Sequence, residues 1–126
     1  MALVVVDASA LAALVFGEAE ADDVAARLRG AELAAPDLLP YELANVAAVK
    51  VRRRLMSQAM AGKALQLARR LEVRLHAVAA TAAFEAAAQS GLTAYDGAYL
   101  WLARALRAEL VTLDRGLAAA ARREAP

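Results

Sequence analysis

The sequence predicts an α/β fold in which helices alternate with the strands of a parallel sheet. The stretch from Leu3 to Val6 is a run of four apolar residues, three of them β-branched, which is typical of a strand buried on both faces. Ala accounts for 37 of the 126 residues, and it is the strongest helix former. Short apolar runs recur between the helical stretches, and this alternation favours parallel pairing with right-handed crossovers.

Most of the predicted elements begin or end at a recognisable residue. Gly17 and Gly30 end the first two helices, and Gly91 stands where a helix ends in the left-handed conformation. Ser57 and Thr93 are hydroxyl caps that each begin a helix. The predicted strands are residues 1–6, 32–35, 73–75 and 110–113, and the predicted helices, caps included, are residues 9–16, 18–29, 38–55, 57–71, 79–89, 93–108 and 114–126.

Length and composition restrict the class of protein. The chain is long enough for one domain with its own core, and we assign residues 1–126 to it. The absence of Cys excludes disulfides and thiolate metal sites, and it fits a cytoplasmic location. No Lys or Arg precedes the first apolar run and Asp7 interrupts it, so we expect neither a signal peptide nor contact with a membrane.

The net charge of +1 conceals a strongly basic stretch. Residues 1–49 carry eight acids and two bases, whereas residues 50–76 carry eight bases and one acid. Such a stretch is either a solvated helix face or a surface that contacts phosphates, and the sequence leaves both interpretations open. In the second interpretation, the candidate RNA-binding residues are Arg52, Arg53, Arg54, Arg69 and Arg70.

Four carboxylates lie where a predicted strand ends or a predicted helix begins. They are Asp7, Glu42, Asp96 and Asp114. Taken singly, each is explained as a cap or as a charge that complements a helix dipole. Polar side chains accompany three of them, since Ser9, Asn45 and Thr112 lie two or three residues from an acid.

Taken together, the four acids predict a site for divalent cations. In a parallel sheet the carboxyl ends of the strands and the N-termini of the following helices share one edge, so all four should face one region. Neighbouring carboxylates repel unless protons or cations intervene, and oxygen ligands without Cys or His suit Mg²⁺ or Mn²⁺. Such a cluster is suited to hydrolysis of phosphodiesters.

The residues around these acids resemble those of PIN domains, and in particular the VapC type, the ribonuclease toxins of toxin–antitoxin pairs. The resemblance covers nearly the whole chain. It rests on Val-Val-Asp-Ala-Ser at 5–9, Pro-Asp-Leu-Leu at 36–39 leading to Glu-Leu-Ala-Asn at 42–45, Leu-Thr-Ala-Tyr-Asp at 92–96 leading to Ala-Tyr-Leu at 98–100, and Thr-Leu-Asp at 112–114.

This resemblance implies a three-layer α/β/α fold with a parallel sheet of four strands, or five, in the order 3-2-1-4. It also implies a metal-dependent endoribonuclease with Mg²⁺ or Mn²⁺, an RNA substrate, a homodimer and a small VapB-like antitoxin. The family's acidic quartet, which is both catalytic and metal-binding, falls on Asp7, Glu42, Asp96 and Asp114. Its supporting polar positions fall on Ser9, Asn45 and Thr112.

One residue departs from the family pattern, and three other interpretations compete with the nuclease. Gly97 stands where the family usually has Ala, at a cost of about 1 kcal/mol inside a helix. A phosphoaspartate enzyme of the haloacid dehalogenase type would need an acid two residues after Asp7, where this chain has Ser9. The remaining alternatives are a non-catalytic module that binds RNA or a partner through its acid pocket, and a purely structural domain whose acids are caps.

Overall fold

The computed structural model describes residues 2–123, which form four strands and seven helices. In chain order these elements are β1 (Leu3–Val6), α1 (Ala8–Val15), α2 (Ala21–Leu28), β2 (Glu32–Pro36), α3 (Leu39–Arg52), α4 (Gln58–Arg70), β3 (Arg74–His76), α5 (Ala80–Ser90), α6 (Ala94–Leu106), β4 (Glu109–Val111) and α7 (Arg115–Arg122). The alternation of helices and strands that the sequence predicts is confirmed.

The four strands form one parallel sheet in the order β3-β2-β1-β4. The central strand β1 pairs on both sides, with Val5 opposite Ala34 in β2 and opposite Leu110 in β4. The expected strand order is therefore confirmed. A fifth strand beyond α7 would lie outside the described residues.

Helices cover both faces of the sheet, as the three-layer prediction requires. The chain moves from β1 to β2 to β3 in one direction and then returns to β4, so right-handed crossovers place α1–α4 on one face and α5 and α6 on the other. Helix α6 packs on β1 and β2, with α5 and α7 beside it. Val5, Val6 and Leu100 are fully buried between these layers. None of the helices that the structure describes has the length and hydropathy needed to cross a bilayer.

Several predicted boundaries are wrong by two or three residues. The helix predicted from residue 18 begins at Ala21, and the one predicted to end at 55 ends at Arg52. The helix predicted to end at 108 stops at Leu106. Arg54 and Arg107 adopt left-handed backbone conformations just after the last two of these helices, and this turns the chain before the apolar pattern ends.

Candidate active site

The Asp7 carboxylate is the most tightly fixed of the candidate groups. It directly follows β1, caps α1 and is only 4% exposed. One oxygen, Oδ1, accepts hydrogen bonds from the Ser9 hydroxyl (2.7 Å) and from the backbone N–H of Ala10 (3.0 Å). The other oxygen, Oδ2, accepts one from the Thr112 hydroxyl (2.6 Å). Three donors therefore hold a buried carboxylate in one orientation.

The same two hydroxyls connect Asp7 to the segment that follows β4. Thr112 Oγ1 accepts a hydrogen bond from the backbone N–H of Asp114 (3.0 Å), and Ser9 Oγ accepts one from that of Leu113 (3.0 Å). Asp114 caps α7, since its Oδ1 accepts from the backbone N–H of Leu117 (2.8 Å). Each hydroxyl thus donates a hydrogen bond to Asp7 and accepts one from the segment that follows β4. These bonds set the spacing of Asp7 and Asp114.

The Glu42 carboxylate is held by a tyrosine that the sequence analysis did not assign to the site. Glu42 lies in the first turn of α3, and its Oε1 accepts a hydrogen bond from the Tyr99 hydroxyl (2.7 Å). Tyr99 is 1% exposed. Its position one turn after Asp96 on α6 is a signal that was present in the sequence, because residues three apart share a helix face and a buried phenol needs a partner.

Asp96 has the least constrained carboxylate of the four acids. Its backbone N–H donates to the Thr93 hydroxyl (3.1 Å), so Thr93 caps α6 as predicted. Within residues 2–123 the carboxylate does not return the bond to the backbone N–H of Thr93 that a capping box requires. Asp96 is partly exposed. The helix start is therefore satisfied without this side chain, which leaves it available to a ligand.

Close packing of α6 against α5 sets the position of Asp96. A Cβ added at Gly97 would overlap the carbonyl oxygen of Ala83 and lie 3.0 Å from the Cβ of Ala87. Gly97 is therefore required by the approach of the two helices, which explains its departure from the family pattern. The lower helix propensity of Gly97 is therefore the cost of packing α6 closely against α5.

The electrostatics link all four acids. Burial is the largest cause that raises the pKa of Asp7, Glu42 and Asp96. The charge of Asp114 raises the pKa values of Asp7 and Asp96 further, and the charges of Asp7 and Asp96 raise that of Glu42. Burial and the Glu42 carboxylate likewise raise the pKa of Tyr99, so its hydroxyl keeps its proton. The structure therefore brings the quartet into one region of mutual repulsion.

The donor set fits a hydrated Mg²⁺ or Mn²⁺ ion. Within residues 2–123, no group of three or more His, Cys, Asp or Glu side chains forms a ready cage for a metal ion. Mg²⁺ does not require one, because it keeps several waters and usually binds through one or two carboxylates. Burial, and then the charge of Asp114, raise the pKa values of Asp7 and Asp96, and a bound cation would offset both effects.

The remaining predicted residues lie apart from this network. Asn45 is exposed on α3, and the hydrogen bonds of the described residues do not include its side chain. The five candidate RNA-binding arginines are also exposed. Arg52 lies about 15 Å along α3 from Glu42, taken as ten residues of helix. Arg69 and Arg70 end α4, just before β3. Their predicted contacts with RNA stay predictions.

Comparisons with known proteins agree with the fold. The family profile described as PIN domain matches residues 4–123. The chain is 38% identical over 119 residues to Ribonuclease VapC3 of Pyrobaculum aerophilum, an alignment that covers 90% of this chain and 91% of that protein.

Two solved structures are also similar. The crystal structure of PAE2754 from Pyrobaculum aerophilum matches with a TM-score of 0.76 and 29% identity, covering 96% of this chain and 87% of that one. The structure of VapC20 from Mycobacterium tuberculosis, described as a Sarcin-Ricin loop cleaving toxin, matches with a TM-score of 0.65 and 20% identity, covering 93% and 94%. The second likeness supports the fold alone.

Proposed function

Because this chain belongs to the PIN-domain family and is of the VapC type, we propose that it is a metal-dependent endoribonuclease and the toxin of a toxin–antitoxin pair. The observation that carries the proposal is the hydrogen-bond network of Ser9 and Thr112, which joins Asp7 to the segment of Asp114. Glu42 and Asp96 lie in the same region, since burial and the charges of the other acids raise their pKa values. Caps at four helix starts would not need to converge. Convergence is what hydrolysis of a phosphodiester with a cation requires.

The quartet would hold the cation, with Asp7 and Asp114 as the direct ligands and Glu42 and Asp96 acting on its bound waters or beside them. Bound Mg²⁺ or Mn²⁺ would lower the pKa of a water molecule and neutralise charge on the scissile phosphate. Ser9 and Thr112 keep the Asp7 oxygens fixed through bonds of 2.7 and 2.6 Å.

Two side chains of the protein would accept a proton and position an acid, respectively. The raised pKa of the partly exposed Asp96 equips its carboxylate to accept a proton from the attacking water. Tyr99 acts as a positioning residue, because its hydroxyl holds Glu42 at 2.7 Å. Glu42 is then held towards Asp7 and Asp96, which both raise its pKa.

The partners follow from the family. The name Ribonuclease VapC3 of the relative at 38% identity supports RNA as the substrate. We further propose a homodimer and a VapB-like antitoxin. An Arg side chain of that antitoxin would inhibit by pairing bidentately with the acids, in the space that the cation and phosphate would otherwise occupy.

Cleavage assays with matched acid variants test the proposal. Protein freed of any antitoxin should cut RNA with Mg²⁺ or Mn²⁺ and stop in EDTA, and Asp7→Asn should lower the rate by at least about 100-fold. Asp22→Asn is the control, because Asp22 is an exposed acid in the first turn of α2, outside the quartet. Its rate should equal that of the unaltered protein.

Two results would contradict the proposal. Cleavage that persists in EDTA and survives Asp7→Asn would show that a contaminant or another site is responsible. RNA binding without cleavage in any divalent cation would favour the alternative of a non-catalytic acid-pocket module.

A further inference from the structure

A basic cleft lies between α6, β4 and α7, with Arg27 of α2 also in its lining. It encloses about 480 Å³. Four arginines from three parts of the chain line it, with Glu109 as the one acid among the described lining residues: Arg27, Arg104, Arg107 and Arg122. Arg27 pairs with Glu109 at 3.4 Å. The cleft therefore carries an excess of positive charge over a concave surface.

The cleft adjoins the acid site through Thr112. This residue lines the cleft, and its hydroxyl donates to Asp7 at 2.6 Å. Helix α6 begins near Asp96 and reaches Arg104 eight residues later, which is about 12 Å along the axis. Helix α7 repeats the arrangement from Asp114 to Arg122. Both helices thus carry an acid at one end and an arginine of the cleft at the other.

Helix dipoles alone do not explain the arrangement. Arg104 and Arg122 lie in the last turns of their helices, where a positive charge is favourable on any surface. Arg107, however, lies beyond the last turn of α6 and lines the cleft. It adopts φ of 52°, a left-handed conformation that helix ends usually assign to Gly and that Arg54 and Glu72 also adopt. This conformation costs a non-glycine residue about 1 kcal/mol. Gly at this position would avoid the cost but would give the cleft no guanidinium.

From this juxtaposition we propose that the cleft binds backbone phosphate of the RNA strand, a short distance along the strand from the bond that is cut. The inference rests on the proposed ribonuclease function and names where its substrate lies. Guanidinium groups bind phosphate oxygens through paired hydrogen bonds, and phosphate contacts position a strand without reading its sequence. The strand would run along the groove between α6 and α7, from the acids to the arginines.

The test is the salt dependence of RNA binding in EDTA, where the proposed cleavage is absent. A labelled single-stranded RNA is titrated from about 50 to about 200 mM KCl, and log K is plotted against log [KCl]. The double variant Arg104→Gln/Arg122→Gln should have a slope shallower by about 1.4, from roughly 0.7 for each lost contact with a single strand. The control is Arg29→Gln, which removes an exposed charge at the end of α2 that neither lines the cleft nor belongs to the basic stretch at 50–76. Its slope should equal that of the unaltered protein.

The outcomes separate the cleft from the nuclease. The proposed cleft is overturned if the slope of the cleft variant is unchanged, or if the control loses as much slope for each charge removed. Cleavage by the unaltered protein in Mg²⁺ would then leave the nuclease proposal standing. A selective loss of slope supports the cleft even if the protein cuts no RNA, and in that case the nuclease proposal fails alone. Should the double variant unfold, Arg107→Gln on the exposed turn after α6 gives the same test, with an expected change of about 0.7.

Discussion

The four acids of the site are positioned in two different ways. On the strand side, Asp7 and Asp114 follow β1 and β4, and hydroxyl and amide donors fix their oxygens at 2.6 to 3.0 Å. On the helix side, Glu42 and Asp96 lie in the first turns of α3 and α6. A single phenol holds Glu42, and helix packing at Gly97 positions Asp96.

This difference separates stability from function. The donors to Asp7 lower its pKa against the larger effect of burial, so the loss of a donor should lower both stability and activity. A carboxylate with few donors, placed among other negative charges, opposes the fold, and its retention is explained by a ligand. Changes to the two sides should therefore have different signatures in melting and in cleavage.

The largest effect on stability is expected where helix packing sets the position of Asp96. Gly97→Ala should lower the free energy of unfolding by about 3 kcal/mol, because the new methyl overlaps the backbone of Ala83 and one helix must move. The control is Gly62→Ala at an exposed position of α4, where an added Cβ meets nothing within 4 Å. Ala should stabilise that helix by about 1 kcal/mol. Urea denaturation measures both, and two equal stabilisations would contradict the packing argument.

The next largest loss of stability is expected for a substitution at Thr112, which holds Asp7 on the strand side. Thr112→Val keeps the shape but leaves Asp7 Oδ2 without its donor and the backbone N–H of Asp114 without its acceptor. Bonds to charged groups contribute about 2 kcal/mol, so a destabilisation of that size is expected, together with loss of cleavage. Thr112→Ser retains the hydroxyl and should recover most of both. If Ser and Val behave alike, packing of the methyl group, and not the network, matters at this position.

The sequence predicted the acids and the supporting hydroxyls of Ser9 and Thr112 more readily than the groups that position Glu42 and Asp96. A buried strand followed by Asp7, or a Thr93 cap followed by Asp96, is a local pattern, whereas the strand order came from the family resemblance. Tyr99 meets Glu42 across 57 residues of chain, and Gly97 is explained only by the approach of α5. Contacts of this kind depend on tertiary structure. Composition revealed the basic stretch at 50–76 but not the basic cleft, whose arginines are spread from α2 to α7.

A smaller loss of stability is expected when the hydrogen bond from Tyr99 to Glu42 is removed. Tyr99→Phe removes the donor to Glu42 and should cost about 1 kcal/mol of stability. The hydroxyl currently lowers the pKa of Glu42 against the effect of burial, so its loss should raise that pKa further and shift the acid limb of the pH–rate profile to higher pH. A purely structural role for Tyr99 would lower stability without moving the profile, which makes the profile the decisive measurement.

The smallest change in stability, and of opposite sign, is expected for Asp96→Asn. The Thr93 cap receives the backbone N–H of residue 96 and survives the substitution. The lost charge is one that burial, Asp114 and Asp7 all disfavour. In EDTA at pH 7 the variant should therefore melt at or above the unaltered protein, with a gain below about 1 kcal/mol because Asp96 is partly exposed. Cleavage should be lost, and Mg²⁺ should raise its melting temperature less.

The pH dependence of that gain distinguishes a ligand site from a cap. Because the folded state raises the pKa of Asp96, it binds the proton more tightly than the unfolded chain does. The penalty from the charge is complete above the raised pKa and disappears as pH falls towards the ordinary value of 3.8. The advantage of Asp96→Asn should therefore be greatest at pH 7 and shrink steadily on acidification, and Mg²⁺ should abolish it at pH 7 by replacing the proton as the compensating charge. A variant that melts well below the unaltered protein at pH 7 in EDTA, with an equal response to Mg²⁺, would instead make Asp96 a stabilising cap.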